Sequence, residues 1–216
     1  MSYRLYVFDL DGTLVDSRRD IAGAANALLA SYGADPIPEA RIGRMVGEGA
    51  ATLVARAFAA AGITPPPHAL ERYLSIYRGH LLDHTRPYPG VPAMLAALGE
   101  RAALGVLTNK PLASTRRILD GLDLSRYFSD DAIVGGDSAY PRKPDPRGLR
   151  YLASAAAISL EDTLLVGDSV IDCRTARAAP VSMCLARYGF GFDGFPPEEL
   201  SAGDYVIDSP LQLLRL

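Results

Sequence analysis

The chain has 216 residues, of which 49% are hydrophobic and 22% charged, enough apolar material for a buried core and too much for wholesale disorder. Its 22 Lys and Arg stand against 25 Asp and Glu, a net charge of −3, which argues against a broad nucleic-acid surface and points to a small-molecule partner. Two cysteines, Cys173 and Cys184, are too few for a disulfide framework, match no zinc spacing and read as small buried thiols in a reducing cytoplasm.

The chain opens on a short aromatic and β-branched run, residues 4–10, read as a buried strand that stops at the turn signal Asp11-Gly12. No basic leader, long apolar segment or cleavage site precedes it, and the alanine-rich stretches are broken by charge, Gly or Pro, so we expect a cytoplasmic protein without a membrane span. Helical spacing follows over residues 21–31, after acidic Asp16 and Asp20. Pro36 and Pro38 break that helix, and residues 39–46, 50–61 and 68–83 read as further helices with no strand among them. This predicts a helical insert over 16–85, with residues 1–15 and 86–216 forming the core.

Beyond Gly90 the pattern alternates. Helices are predicted at 94–98, 113–122, 147–156 and 171–178, and strands at 104–108, 132–134, 163–166 and 181–185. Such βα alternation implies a parallel sheet covered by helices on both faces, a Rossmann-like doubly wound α/β core, with ligands at the carboxyl ends of the strands. Residues 190–197, rich in Gly, Phe and Pro, read as an irregular surface loop of no legible function.

The residues that suggest chemistry fall at those strand ends. Asp9 and Asp11 are two apart, so in extended geometry they project to one side. One carboxylate can attack phosphorus as a nucleophile, giving an acyl phosphate, while the other protonates the leaving alcohol and later deprotonates water. Placing acids beside an anionic phosphate requires cations. Asp168 and Asp172, at i and i+4 where a helix opens, offer oxygen ligands suited to Mg²⁺. Lys143, between Pro141 and Pro144, supplies a point charge for phosphate and nucleophile. Thr108 and Asn109, in Thr108-Asn109-Lys110, place a hydroxyl and backbone N–H groups where phosphate oxygens are gripped. Each element alone also has a plain reading: a turn or calcium-like loop, a helix cap, a solvated lysine.

Together, Asp9 to Thr13, Thr108, Lys143 and Gly167 to Asp172 resemble the ordered motifs of the haloacid dehalogenase-like hydrolase superfamily, and the helical insert is similar to that family's cap. The resemblance implies that Asp9 is nucleophile and metal ligand, that Asp11 is acid/base and gives its backbone carbonyl to Mg²⁺, that Asp168 completes the protein ligands, and that Asp172 stands behind them. The second aspartate, Asp11, is similar to phosphatases and mutases and unlike the dehalogenases. Asp9 to Ser17, Val46 to Gly49 and Arg86 to Val91 look like phosphoglycolate phosphatases, which implies a small phosphorylated metabolite as substrate and a monomer or homodimer. Arg41 and Arg44, beside the flexible Gly47 and Gly49, are candidates to pair with a substrate carboxylate, against the plainer reading of exposed helix charges. Residues 178–181 depart from the family in lacking a glycine after the last motif's helix. The alternatives are a β-phosphoglucomutase-like phosphoryl transfer and, in another class, a receiver-type module that accepts phosphate on an aspartate without turnover.

Overall fold

The computed structural model describes residues 3–216. A six-stranded parallel sheet runs in the order β5-β4-β1-β6-β7-β8, with β1 at Leu5–Phe8, β4 at Ala103–Leu107, β5 at Ile133–Val134, β6 at Thr163–Gly167, β7 at Ser182–Ala186 and β8 at Tyr205–Ile207. β1 is central, pairing with β4 and with β6, and all four of its residues are buried because both faces of the sheet are covered. Its side chains alternate between two cores: Tyr6 and Phe8 enter one, Leu5 and Val7 the other.

The first core also takes α5 (Val91–Gly99) and α6 (Leu112–Gly121), through residues such as Met94 and Ile118, and its buried cluster continues into α1 (Arg18–Ala30) of the helical insert through Leu28. The second takes α7 (Arg147–Ala155) and α8 (Val170–Ala178), through Leu149, Leu152 and Ala176. Helices on both faces make this the expected doubly wound α/β core. The strand order reverses at β1, since β4 lies on one side of it and β6 on the other, and the crevice at that switch point opens at the carboxyl ends of these three strands.

The predicted elements are recovered with shifted ends, as hydrophobic periodicity does not see caps. α1 begins at Arg18 rather than at residue 21, and the helix predicted over 68–83 is α4, Ala69–Gly79. Strand β8 was not read from the sequence: three residues at an edge, with Tyr205 and Val206 exposed, carry too little alternation. Cys173 and Cys184 are buried free thiols, as expected. After α8 the chain reaches β7 through Ala179, Pro180 and Val181, without a glycine.

Four helices, α1, α2 (Glu39–Gly43), α3 (Ala50–Ala60) and α4, lie between two short antiparallel strands, β2 (Val15–Asp16) and β3 (Arg86–Pro87), which pair with each other. Asp20, in the first turn of α1, ties this crossing together. Its buried carboxylate accepts from the main-chain N–H groups of His84 at 3.0 Å and Thr85 at 2.8 Å, and from the Thr85 hydroxyl at 2.7 Å. Burial pushes its pKa up, but the bonds from Thr85 and His84 outweigh burial and hold it below the usual carboxylate value. Because the folded pKa is depressed, this stabilisation is present above the unfolded value and is lost as pH falls through the folded one. Asp20→Ala should therefore cost about 1–3 kcal/mol at neutral pH by urea unfolding, with the gap to wild type closing in acid.

Candidate active site

Asp9 follows β1, Thr108 follows β4 and Asp168 follows β6, so three adjacent parallel strands deliver their next residues to one crevice. Asp9, Asp11, Thr108, Asn109, Lys110 and Asp168 line a narrow cavity there of about 50 Å³, closed on the helical side by Val46, Gly47, Leu53, Tyr73, Leu74 and Tyr77. A larger hollow, about 270 Å³, opens at the amino ends of β1 and β4, but its only ionisable acid is Asp131 and none of the strand-end chemistry reaches it. Chemistry, not size, picks out the first.

Lys143 is buried and lies 2.9 Å from Asp9 Oδ1 and 2.7 Å from Asp172 Oδ1. The contact to Asp172 is a hydrogen bond; that to Asp9 is an ion pair outside hydrogen-bond alignment, so Asp9 Oδ1 is buried with no aligned donor. Burial and the neighbouring Asp172 push Asp9 up to about 6 against the pull of Lys143. Burial pushes Asp168 well above its usual value as well, aided by Asp172 and Asp9. Burial lowers the Lys143 ammonium, but Asp172 and Asp9 outweigh it and hold it above its usual value, so it keeps its proton.

Asp172 does two jobs. Its Oδ2 accepts from the Ser169 hydroxyl at 2.6 Å and from the Ser169 N–H at 3.1 Å, completing a capping box at the start of α8, while Oδ1 takes Lys143. The helix-cap reading of this segment is realised, and the same carboxylate also reaches Lys143.

Asp9, Asp168 and Asp172 offer carboxylate oxygens that all lie within 4.8 Å of one another, an oxygen-only set that fits a hard divalent cation. The unaligned Asp9 Oδ1 is the kind of buried charge such an ion satisfies. Since Asp172 is committed to Lys143 and Ser169, Asp9 and Asp168 remain the carboxylates free to ligate.

The packing about Asp168 explains several glycines. Gly12 sits at φ 90°, and a Cβ there would lie 1.8 Å from Asp168 Oδ2. A Cβ on Gly189 would meet the Gly12 carbonyl oxygen at 2.1 Å. The Gly191 N–H donates to Asp168 Oδ2 at 2.7 Å, and Phe190 is buried against the cavity. Residues 190–192 are thus not merely a surface loop: they seal and orient Asp168, a contact over 23 positions with no local sequence signal. Gly12→Ala should cost about 10²-fold in kcat/KM by displacing that carboxylate, with the circular dichroism spectrum retained; activity within twofold of wild type would show that Asp168 tolerates the shift.

Asp11 does not stand free. Lys110 Nζ donates to both its oxygens at 2.8 Å, and the Ser17 hydroxyl donates to Oδ1 at 2.5 Å. Neither partner was singled out from the sequence; that Lys110 sits two residues beyond the strand-end Thr108 was the only hint. Asn109 lies in the site, but its side chain latches loops together, donating to the carbonyls of Gly47 at 2.8 Å and Lys143 at 3.0 Å and accepting from the Lys143 N–H at 2.8 Å. Gly47 and Gly49 line the cavity; Arg41 and Arg44 do not. Arg44 pairs instead with Asp193 at 2.9 Å on the surface, and Arg41 is exposed because the five-residue helix α2 buries Ile42 and Gly43.

A sequence model of the family described as haloacid dehalogenase-like hydrolase matches residues 6–186. The chain belongs to that family. Among curated proteins it is 44% identical over 193 residues to a phosphoglycolate phosphatase of Rhodospirillum rubrum, covering 85% of this chain and 79% of the relative. It is 38% identical over 211 residues to that of Caulobacter vibrioides, covering 95% and 87%. Among solved structures, a "predicted phosphoglycolate phosphatase" from Haemophilus somnus superposes with a TM-score of 0.90 at 27% identity, covering 100% of this chain and 98% of that one. The chain is thus an enzyme of the phosphatase kind within the haloacid dehalogenase-like hydrolases. Among the described residues no helix is long and apolar enough to cross a membrane.

Proposed function

We propose that this haloacid dehalogenase-like hydrolase is a cytoplasmic, Mg²⁺-dependent phosphomonoesterase acting on 2-phosphoglycolate or a similarly small phosphorylated acid. The observation that carries the reading is the pairing of two aspartates with two buried lysines: Asp9 with Lys143, and Asp11 with Lys110. The names of the relatives and the narrow cavity support the substrate.

Asp9 attacks phosphorus as the ester P–O bond breaks, and Asp11 gives its proton to the departing oxygen. Asp11 then takes a proton from water as the water attacks the aspartyl phosphate, releasing phosphate and restoring Asp9. Lys143 neutralises Asp9 and incoming phosphate together, while the Thr108 hydroxyl and the Asn109 N–H orient the phosphate oxygens. Mg²⁺, held by Asp9, Asp168 and the Asp11 carbonyl, would supply further charge neutralisation. Residues 16–85 act as a cap whose closure excludes bulk water.

The test is phosphate release from a panel of phosphorylated acids, sugars and nucleotides, with Mg²⁺ and after chelation. The expected result is a Mg²⁺-dependent preference for 2-phosphoglycolate. Preference for another ester moves the substrate and keeps the chemistry; consumption of a sugar phosphate with no net phosphate release selects the mutase alternative.

A further inference from the structure

Of the described residues lining the cavity, Lys110 alone carries a positive charge. Its three ammonium protons are spent on Asp11 Oδ1, Asp11 Oδ2 and the Tyr77 hydroxyl oxygen, the last at 2.7 Å. Tyr77 therefore accepts from Lys110, and its own proton meets no acceptor among the described residues. The side chain is 3% exposed and forms part of the cavity wall. It is held in place by Tyr73, stacked on it with ring centroids 5.8 Å apart, and by the Lys110 ammonium 4.6 Å from its ring centroid. A buried donor without a partner is costly, and a hydroxyl whose oxygen already accepts from an ammonium is polarised to donate more strongly.

We propose that the Tyr77 hydroxyl, backed by Lys110, receives the carboxylate at the non-phosphate end of the substrate and so sets a preference for phosphorylated acids over neutral phosphate esters. The inference rests on the phosphomonoesterase reading above and names the group that selects its substrate. The surrounding wall favours a carboxylate over a sugar. On the helical wall Val46, Ala50, Leu53 and Leu74 offer no side-chain polar atom and the polar atoms are the Tyr73 and Tyr77 hydroxyls, so the several hydroxyls of a sugar would outnumber their partners there, whereas one anion needs only one strong donor. Arg41 and Arg44, the cations that sequence pointed to, are outside the cavity.

The experiment compares kcat/KM for 2-phosphoglycolate with that for 2-hydroxyethyl phosphate, which replaces the carboxylate by a neutral CH₂OH, in wild type, Tyr77→Phe, Lys110→Met and Lys110→Arg. Disturbance of Asp11 affects both esters, so the ratio isolates recognition. Wild type is expected to favour the acid roughly 10- to 100-fold, the range of one charge-assisted hydrogen bond. Tyr77→Phe and Lys110→Met should bring the ratio toward parity and Lys110→Arg should retain most of it. An unchanged ratio in Tyr77→Phe overturns the proposal, and so does a wild type that favours neither ester. Should Lys110→Met not fold, Tyr77→Phe, which loses one oxygen atom, decides alone. Calorimetric binding of both esters to Asp9→Asn, with and without Tyr77→Phe, separates the two levels. Hydrolysis of neither ester by wild type sinks the substrate reading, and the receptor then stands if Tyr77→Phe removes discrimination in binding and falls if it does not.

Discussion

Asp9→Asn should lower kcat by at least about 10³-fold and leave the fold intact, because an amide of nearly the same volume has no anionic oxygen with which to attack phosphorus. Its effect on stability is the more diagnostic measurement. Burial pushes the Asp9 carboxyl up to about 6, so the folded state holds that proton more tightly than the unfolded chain does. Stability of the metal-free protein therefore falls as pH rises from the ordinary value of 3.8 through about 6, and ionised Asp9 is a burden at neutral pH. The variant should be at least as stable as wild type at pH 7.5 in the presence of a chelator, and its urea midpoint should change less between pH 4 and 6. A protein that loses activity only because it unfolds would contradict the role given to Asp9.

Lys143→Ala should fail in the opposite manner. The lysine side chain is 2% exposed and sits between Asp9 and Asp172, themselves 9% and 0% exposed. Its removal leaves two carboxylates buried around a cavity where one ammonium had balanced them, a defect of about 3–5 kcal/mol. Activity should fall as well, since phosphate then approaches an uncompensated nucleophile. Equilibrium unfolding in chelator distinguishes the two substitutions: one active-site variant is catalytically dead and stable, the other is dead and destabilised. Wild-type stability in Lys143→Ala would show that water, rather than this lysine, balances the two acids.

The pairing of Lys110 with Asp11 changes how the second aspartate is understood. Sequence spacing placed Asp9 and Asp11 on one side of a strand, but β1 ends at Phe8 and the chain turns at Gly12, so the two acids acquire separate cationic partners. Asp9 meets a lysine from the loop before α7, and Asp11 meets one from the loop after β4. Two acids with different counter-charges suit different tasks, one attacking and one exchanging protons.

Part of this protein is written in local pattern. Apolar runs of four to five residues ending in Asp9, Thr108 and Asp168 specify buried parallel strands, and in such a sheet the residues after the strands must share one edge. Asp9, Asp11, Lys143 and Asp168 could be named as candidates from that pattern and the order of the motifs. Tertiary structure alone decided which side chains meet across elements. Tyr77 and Lys110 are 33 positions apart, Gly191 and Asp168 are 23 apart, and Arg44 finds Asp193 across 149. None of these pairs leaves a periodic trace, because periodicity records which face of an element is apolar and not what that face touches. The direction taken by a lone arginine on a five-residue helix, or by one tyrosine on α4, is set by the neighbours that chain reversal brings to it, and in this protein those neighbours turned the predicted arginines outward and put a tyrosine and a lysine in the cavity.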